Sequence, residues 1–199
     1  MPAGYAIQPP NRYLRPVLLV IGGNFQQDNP HGEEGSETGR LMQRRLIERR
    51  VTTFIDAFYG GDVEVATACC ADDFNTITYA PIELFPHLGL KHGRDWVAQG
   101  IAIQEERFSR RTHKLAFLVA DENKAATMGT VHLQKRNDSR IIELTIADLF
   151  SLHDDRIVTH RSFYDSFSLV QQILGRDLSE AFASSLTAAF RSDGSVNRS

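Results

Sequence analysis

From residue 41 the chain takes on helical spacing. Leu41, Ile47, Val51, Phe54, Ile55 and Phe58 recur on one stripe, and Arg44, Arg45, Glu48, Arg49 and Asp56 take the opposite face. Gly60-Gly61 stops this helix, and Asp62 is placed to cap a shorter second one ending near the run ADDF, residues 71–74. The run FNTITY (74–79) reads as a strand, residues 80–92 as a Pro-bearing loop, and a third helix follows Gly93 with Trp96, Val97, Ile101 and Phe108 turned inward. Beyond it the period drops to two. HKLAFLVAD, KAATMGTVHLQ, RIIELTIADLFSL and RIVTHRSFYD are strand-like runs joined by the short polar connections ENK, KRNDS and HDD. Helices followed by a meander of antiparallel strands predict an α+β fold, with the helices packed on one face of a curved sheet.

Three zones follow. Residues 1–39 carry four prolines before Val17 and then the polar stretch NFQQDNPHGEEGSETG, which predicts a partly disordered extension, with Val17 to Ile21 able to dock as a strand on the main domain or a partner chain. Residues 40–175 form the domain. Within it, SFSLVQQILG puts Leu169, Val170, Ile173 and Leu174 on one stripe. Residues 176–199 begin with a capping-box-like Asp177 and Glu180, and space Leu178, Phe182, Leu186 and Phe190 in steps of four. Such a stripe needs a surface, either the domain's own pocket or a second subunit; the last nine residues read as disordered.

Composition narrows the function. A chain of 199 residues supports one core. A net charge of −3 and a pI near 6.2 supply no basic field for nucleic acid or anionic membrane. The longest apolar run, PVLLVIGG, is too short to span a bilayer or act as a signal, which points to the cytoplasm. Cys69 and Cys70 are adjacent in a helical reading and cannot pair with each other, so they read as buried thiols of a reducing compartment. No HxxxH, CxxC or Gly-rich phosphate loop is present, and His87 and His92 read as solvated loop residues. Neither metal nor cofactor is expected.

One acid breaks the apolar pattern. Stepping back by twos from Leu152 gives Phe150, Asp148, Ile146, Leu144 and Ile142, so Asp148 sits in a row of large apolar side chains. A three-residue loop at His153 to Asp155, with Asp155 accepting a left-handed backbone, sets Asp148 opposite His160, Ile146 opposite Ser162 and Leu144 opposite Tyr164. A two-residue turn instead sets Arg161 opposite Asp148. Loop length therefore decides whether the acid meets a titratable partner or a fixed cation.

The runs RRVTTFIDAFYGGDVEVATACCADDF, HGRDWVAQ, ADLFSLHDDRIVTHRSFYD and SLVQQILG resemble the nuclear transport factor 2-like superfamily, and within it the SnoaL-like polyketide cyclases. Ketosteroid isomerase and limonene epoxide hydrolase are more distant relatives. The resemblance spans residues 41–175 and implies a cone-shaped α+β barrel, with a helix such as SLVQQILG over its open end. It also favours the His160 pairing, because the equivalents of Asp148, His160, Ser162 and Tyr164 face the cavity in relatives, and SnoaL-like cyclases often place an acid and a His at those first two positions. The isomerase's catalytic Tyr matches Phe54, its base aspartate matches Thr78, and one acid of the epoxide hydrolase cluster matches Ser162. Neither of those complete machineries is implied.

These readings converge on a cofactor-free acid–base enzyme of isomerase, cyclase or hydratase type, with Asp148 and His160 as the working pair. Its substrate would be a small hydrophobic carbonyl, epoxide or polyketide-like molecule. Thr76, Thr78, Ser162, Tyr164, Phe54 and Trp96 are the expected substrate-binding residues, and His132 and Arg161 should face outward. The competing reading is a non-catalytic ligand-binding or dimerisation module, in which the pair only fixes the hairpin. Family resemblance further implies a homodimer through the sheet face.

Overall fold

A computed structural model describes residues 34–191. The expected extension and its Val17 to Ile21 segment, and all but the first of the last nine residues, lie outside the described residues. Helix α1 (Glu34–Gly60) is followed by α2 (Val63–Ala68), β1 (Cys70–Tyr79), β2 (Gly89–His92), α3 (Asp95–Arg107) and four long strands: β3 (Phe108–Asp121), β4 (Lys124–Lys135), β5 (Ile141–His153) and β6 (Arg156–Tyr164). Helices α4 (Ser166–Leu174) and α5 (Ser179–Arg191) end the described chain. The first helix starts ahead of its apolar stripe because periodicity marks only the part that packs: Ile47 is its first fully buried residue.

The strands form one curved, unclosed sheet in the order β2-β1-β6-β5-β4-β3. The antiparallel meander runs from β3 to β6, and β1 joins β6 in parallel, an exception to the antiparallel expectation. The short β2 lies within the stretch read as loop. Cys69 caps α2 and Cys70 opens β1, so the strand begins earlier than its apolar alternation, with an irregularity between Cys70 and Asn75. Both thiols are buried and free.

Capping follows the sequence. Asp62 accepts from the Val65 amide at 3.0 Å, Asp165 accepts from Ser168 at 2.9 Å, and Gly175 closes α4 in the left-handed conformation. Helices α1 to α3 pack into the concave face with Phe74, Phe150, Leu152 and Ile157, while Val131, Leu133, Ile142, Leu144 and Ile146 form a second cluster with Leu169 of α4. Helix α5 contributes nothing to the cavity wall, and its Phe182, Leu186 and Phe190 remain exposed.

Candidate functional site

The final hairpin corrects the expected register. Its turn has two residues, Asp154 and Asp155, both with positive φ, so His153 faces Arg156. Uncorrected, that turn would have carried Arg161 to Asp148. A bulge at Val158 absorbs one residue and restores the parity: Ser151 pairs with Thr159, Phe150 with His160, Asp148 with Ser162 and Ile146 with Tyr164. His160 therefore meets Asp148 diagonally rather than directly. Arg50 of α1 braces the turn through an ion pair with Asp155.

The acid and the imidazole are joined. His160 Nε2 lies 3.0 Å from Asp148 Oδ1, and Nδ1 lies 3.1 Å from Thr76 Oγ1. The ring is stacked on Phe150 at 4.8 Å and meets the edge of Phe54 at 5.8 Å, which fixes its plane. Asp148 is 5 % exposed, and its second oxygen has no hydrogen-bond partner among the described residues. The apolar row thus holds a carboxylate with one oxygen tied and one available to the cavity.

That cavity offers about 180 Å³ to the centres of water-sized spheres. A single water needs roughly 10–15 Å³ on this measure, so the cone holds several waters or a compact ligand and is not packed solid. All eight expected residues line it: Asp148, His160, Thr76, Thr78, Ser162, Tyr164, Phe54 and Trp96. Leu169 and Ile173 of α4 border it as well. His132 faces outward, bonded to Glu143 at 2.9 Å, and Arg161 is exposed.

Other residues at the site escaped the sequence reading. Tyr59, four positions after Ile55 on the same helical stripe, lines the cavity. Burial, and then the negative charge of Asp148, holds its phenol well above the usual range, and burial pushes Tyr164 up to about 12. Both hydroxyls therefore keep their protons near neutral pH and can donate. Tyr59 is stacked on His113 at 5.2 Å, and neither ring nitrogen of His113 has a partner among the described residues. That histidine alternates with Leu115, a spacing that could have revealed it. At the mouth, His87 and Arg107 also line the wall, with Arg107 Nη1 donating to His87 Nε2 at 3.0 Å. His87 lines the cavity rather than standing free in solvent, a placement that no periodicity in its loop encodes.

Chemically, the arrangement combines a buried carboxylate, a ring that steadies it, two protonated phenols and apolar walls. Such a set can move a proton at carbon and hold a developing oxyanion.

Comparison with solved structures finds the same architecture at low identity. An NTF2-like protein from Burkholderia pseudomallei aligns with a TM-score of 0.59 at 19% identity, covering 64% of this chain and 97% of that one. An LEH-like epoxide hydrolase from M. tuberculosis gives 0.56 at 17%, covering 70% and 98%. A proposed SnoaL-like polyketide cyclase from Jannaschia sp. CCS1 gives 0.58 at 13%, covering 74% and 97%. At such identities the likeness establishes the fold alone. No curated protein sequence matches the chain. The SnoaL-like domain model matches residues 51–160, more than half of the chain and the stretch from the first helix to His160 itself; the protein belongs to the SnoaL-like domain family.

Proposed function

We propose that the cavity is a cofactor-free acid–base site of isomerase or cyclase type, acting on a small, largely apolar carbonyl or polyketide-like molecule. The observation carrying this reading is the free oxygen of buried Asp148, whose other oxygen is held by His160. Because both ring nitrogens of His160 are engaged, Asp148 is the group that meets substrate and His160 positions it. The carboxylate takes the proton from the carbon beside a carbonyl. The C–H electron pair becomes the enolate, whose oxygen accepts a hydrogen bond from Tyr59 or Tyr164. Return of the proton to the far carbon of a conjugated dienolate completes an isomerisation. In a cyclisation the enolate carbon attacks a second carbonyl of the same molecule, whose C=O electron pair becomes an alkoxide that takes the proton back from Asp148. Ser162 and Thr78 hold polar substituents, and Phe54 and Trp96 contact the apolar body. Epoxide opening is less well supported, since Ser162 stands opposite Asp148 where a second acid would help.

The test does not require knowing the substrate. Small cyclic ketones in deuterated water should exchange the hydrogens beside the carbonyl faster with the wild-type protein than in buffer, and Asp148→Asn should lose that acceleration while keeping its fold. Equal exchange by both proteins removes the catalytic reading. The internally satisfied chain Thr76, His160, Asp148 favours a second reading, a ligand binder whose polar groups only orient the guest. Quenching of Trp96, the single tryptophan, without any exchange would select it.

We also infer a homodimer through the outer sheet face, in a reducing, cytoplasmic setting that suits two buried free thiols. Phe117, Met128, Ala147, Phe163 and Tyr79 form one cross-strand row on that face, beside Val119, Ala126 and Leu149. Apolar rows of this kind on exposed sheets are association surfaces. Light scattering should give twice the chain mass, falling to a monomer in Leu149→Lys. No helix among the described residues is long and apolar enough to cross a membrane.

A further inference from the structure

Arg107 is a cation without an acid. Arg107 has no carboxylate within ion-pair distance among the described residues, as is also true of Arg110, Arg136, Arg156 and Arg161, but it is the arginine that lines the cavity. Its hydrogen-bond acceptor is the neutral ring of His87, and both side chains line the cavity. A second cation stands close by: Lys91 Nζ lies 4.9 Å from the ring centre of Trp96, another wall residue. Burial, then Arg107 and Lys91, hold His87 below its ordinary value. Of the carboxylates near Arg107 in sequence, Glu105 is paired with Arg111, and Glu106, exposed like Arg107 itself, is not within ion-pair distance of it. Favourable placement of an Arg in the last turn of α3 accounts for its position but not for its orientation toward the cavity and His87.

We propose that the ligand of this cavity carries a carboxylate, which Arg107 and His87 hold at the mouth while its neutral carbonyl end reaches Asp148. The inference rests on the cavity being the substrate site and adds the substrate's charge and direction. Asp148 would repel an anion brought to it, and no other acidic residue lines the cavity among the described residues, so the Asp148 and Arg107 ends sort the molecule electrostatically. A guanidinium fits a carboxylate with two parallel hydrogen bonds, and a bound anion would let His87 take up a proton and donate to it.

Binding is read from Trp96 fluorescence in the full chain, with levulinate and oxocyclohexanecarboxylate each compared with its own methyl ester. Wild type should bind the acids about tenfold or more tightly than the esters, the range of a charge-assisted, two-point contact. Arg107→Gln should bring the ratio near one, chiefly by weakening the acids about tenfold, with circular dichroism showing that the fold is retained. Asp148→Asn, which removes the repulsion but not the Arg107 contact, should keep the preference for the acids or strengthen it. Equal or tighter ester binding by wild type, binding of neither, or a preference surviving in Arg107→Gln overturns the proposal. If the preference holds but wild type catalyses no hydrogen exchange, the enzymatic reading fails and this one stands; if exchange occurs without the preference, the reverse follows.

Discussion

His160 stands opposite Phe150 in the β5–β6 ladder, yet its Nε2 lies 3.0 Å from Oδ1 of Asp148, two residues along the same face. The contact is diagonal, so the ring must lean along the strand, and Thr76 on the neighbouring β1 supplies the second anchor at 3.1 Å. Thr76→Val keeps the branched shape and removes the hydroxyl. It should cost about 1–3 kcal/mol in urea unfolding by leaving a half-buried ring nitrogen without its partner. Any catalysed exchange should fall about 10- to 100-fold, as expected when a working group drifts from its geometry. Unchanged exchange would mean that the ring needs no second anchor.

Gly129 of β4 gives His113 its place. A Cβ at residue 129 would lie 2.4 Å from the ring's Nε2 and 2.8 Å from the carbonyl oxygen of Lys114. Gly129→Ala should therefore destabilise the fold by about 1–3 kcal/mol, the usual cost of overpacking. In a His113→Ala background the penalty should shrink but not vanish, because the Lys114 contact is with backbone. A full penalty in that background would show that the ring is not the obstacle.

The α+β class, the strand meander and the inward row containing Asp148 were legible because each rests on a period of two or 3.6 and on Gly or Asp punctuation. The register of the last hairpin was not legible. Two features offset each other: the turn has two residues rather than three, and Val158 bulges out by one, so His160 keeps the inward side. A bulge leaves no mark in an alternation of this length. His87 and Arg107 were invisible for another reason, since a Pro-bearing loop and a helix end acquire their direction only from tertiary packing.

The tight turn carries strain that one substitution should relieve and another should worsen. Asp154 and Asp155 have φ of 48° and 59°, a backbone that suits Asn or Gly better than Asp. Asp154, whose side chain meets exposed His153, should accept Asn with a small rise in melting temperature. Asp155→Ala keeps the unfavourable backbone and removes the ion pair to Arg50, so it should lower stability by about 1–2 kcal/mol. A more stable Asp155→Ala protein would show that the Arg50 brace contributes nothing.

The half-buried ring of His113, both of whose nitrogens are shut off from water, should impose a pH dependence of definite sign. Burial holds it below its ordinary value of 6.5, with Asp148 and Asp56 drawing it only part of the way back. Between those two values the unfolded chain binds a proton that the folded one refuses, so stability falls as pH drops below about 6.5 and levels off beneath the folded-state value. His113→Phe preserves a flat ring against Tyr59 and has no proton to refuse. The urea midpoint of wild type minus that of His113→Phe should therefore decline from about pH 7.5 to about pH 5. His87, depressed in the same direction, is common to both proteins and cancels in the difference. A difference that stays level, or rises toward acid, would mean that the folded protein accommodates the imidazolium, and that a partner for His113 exists in solution.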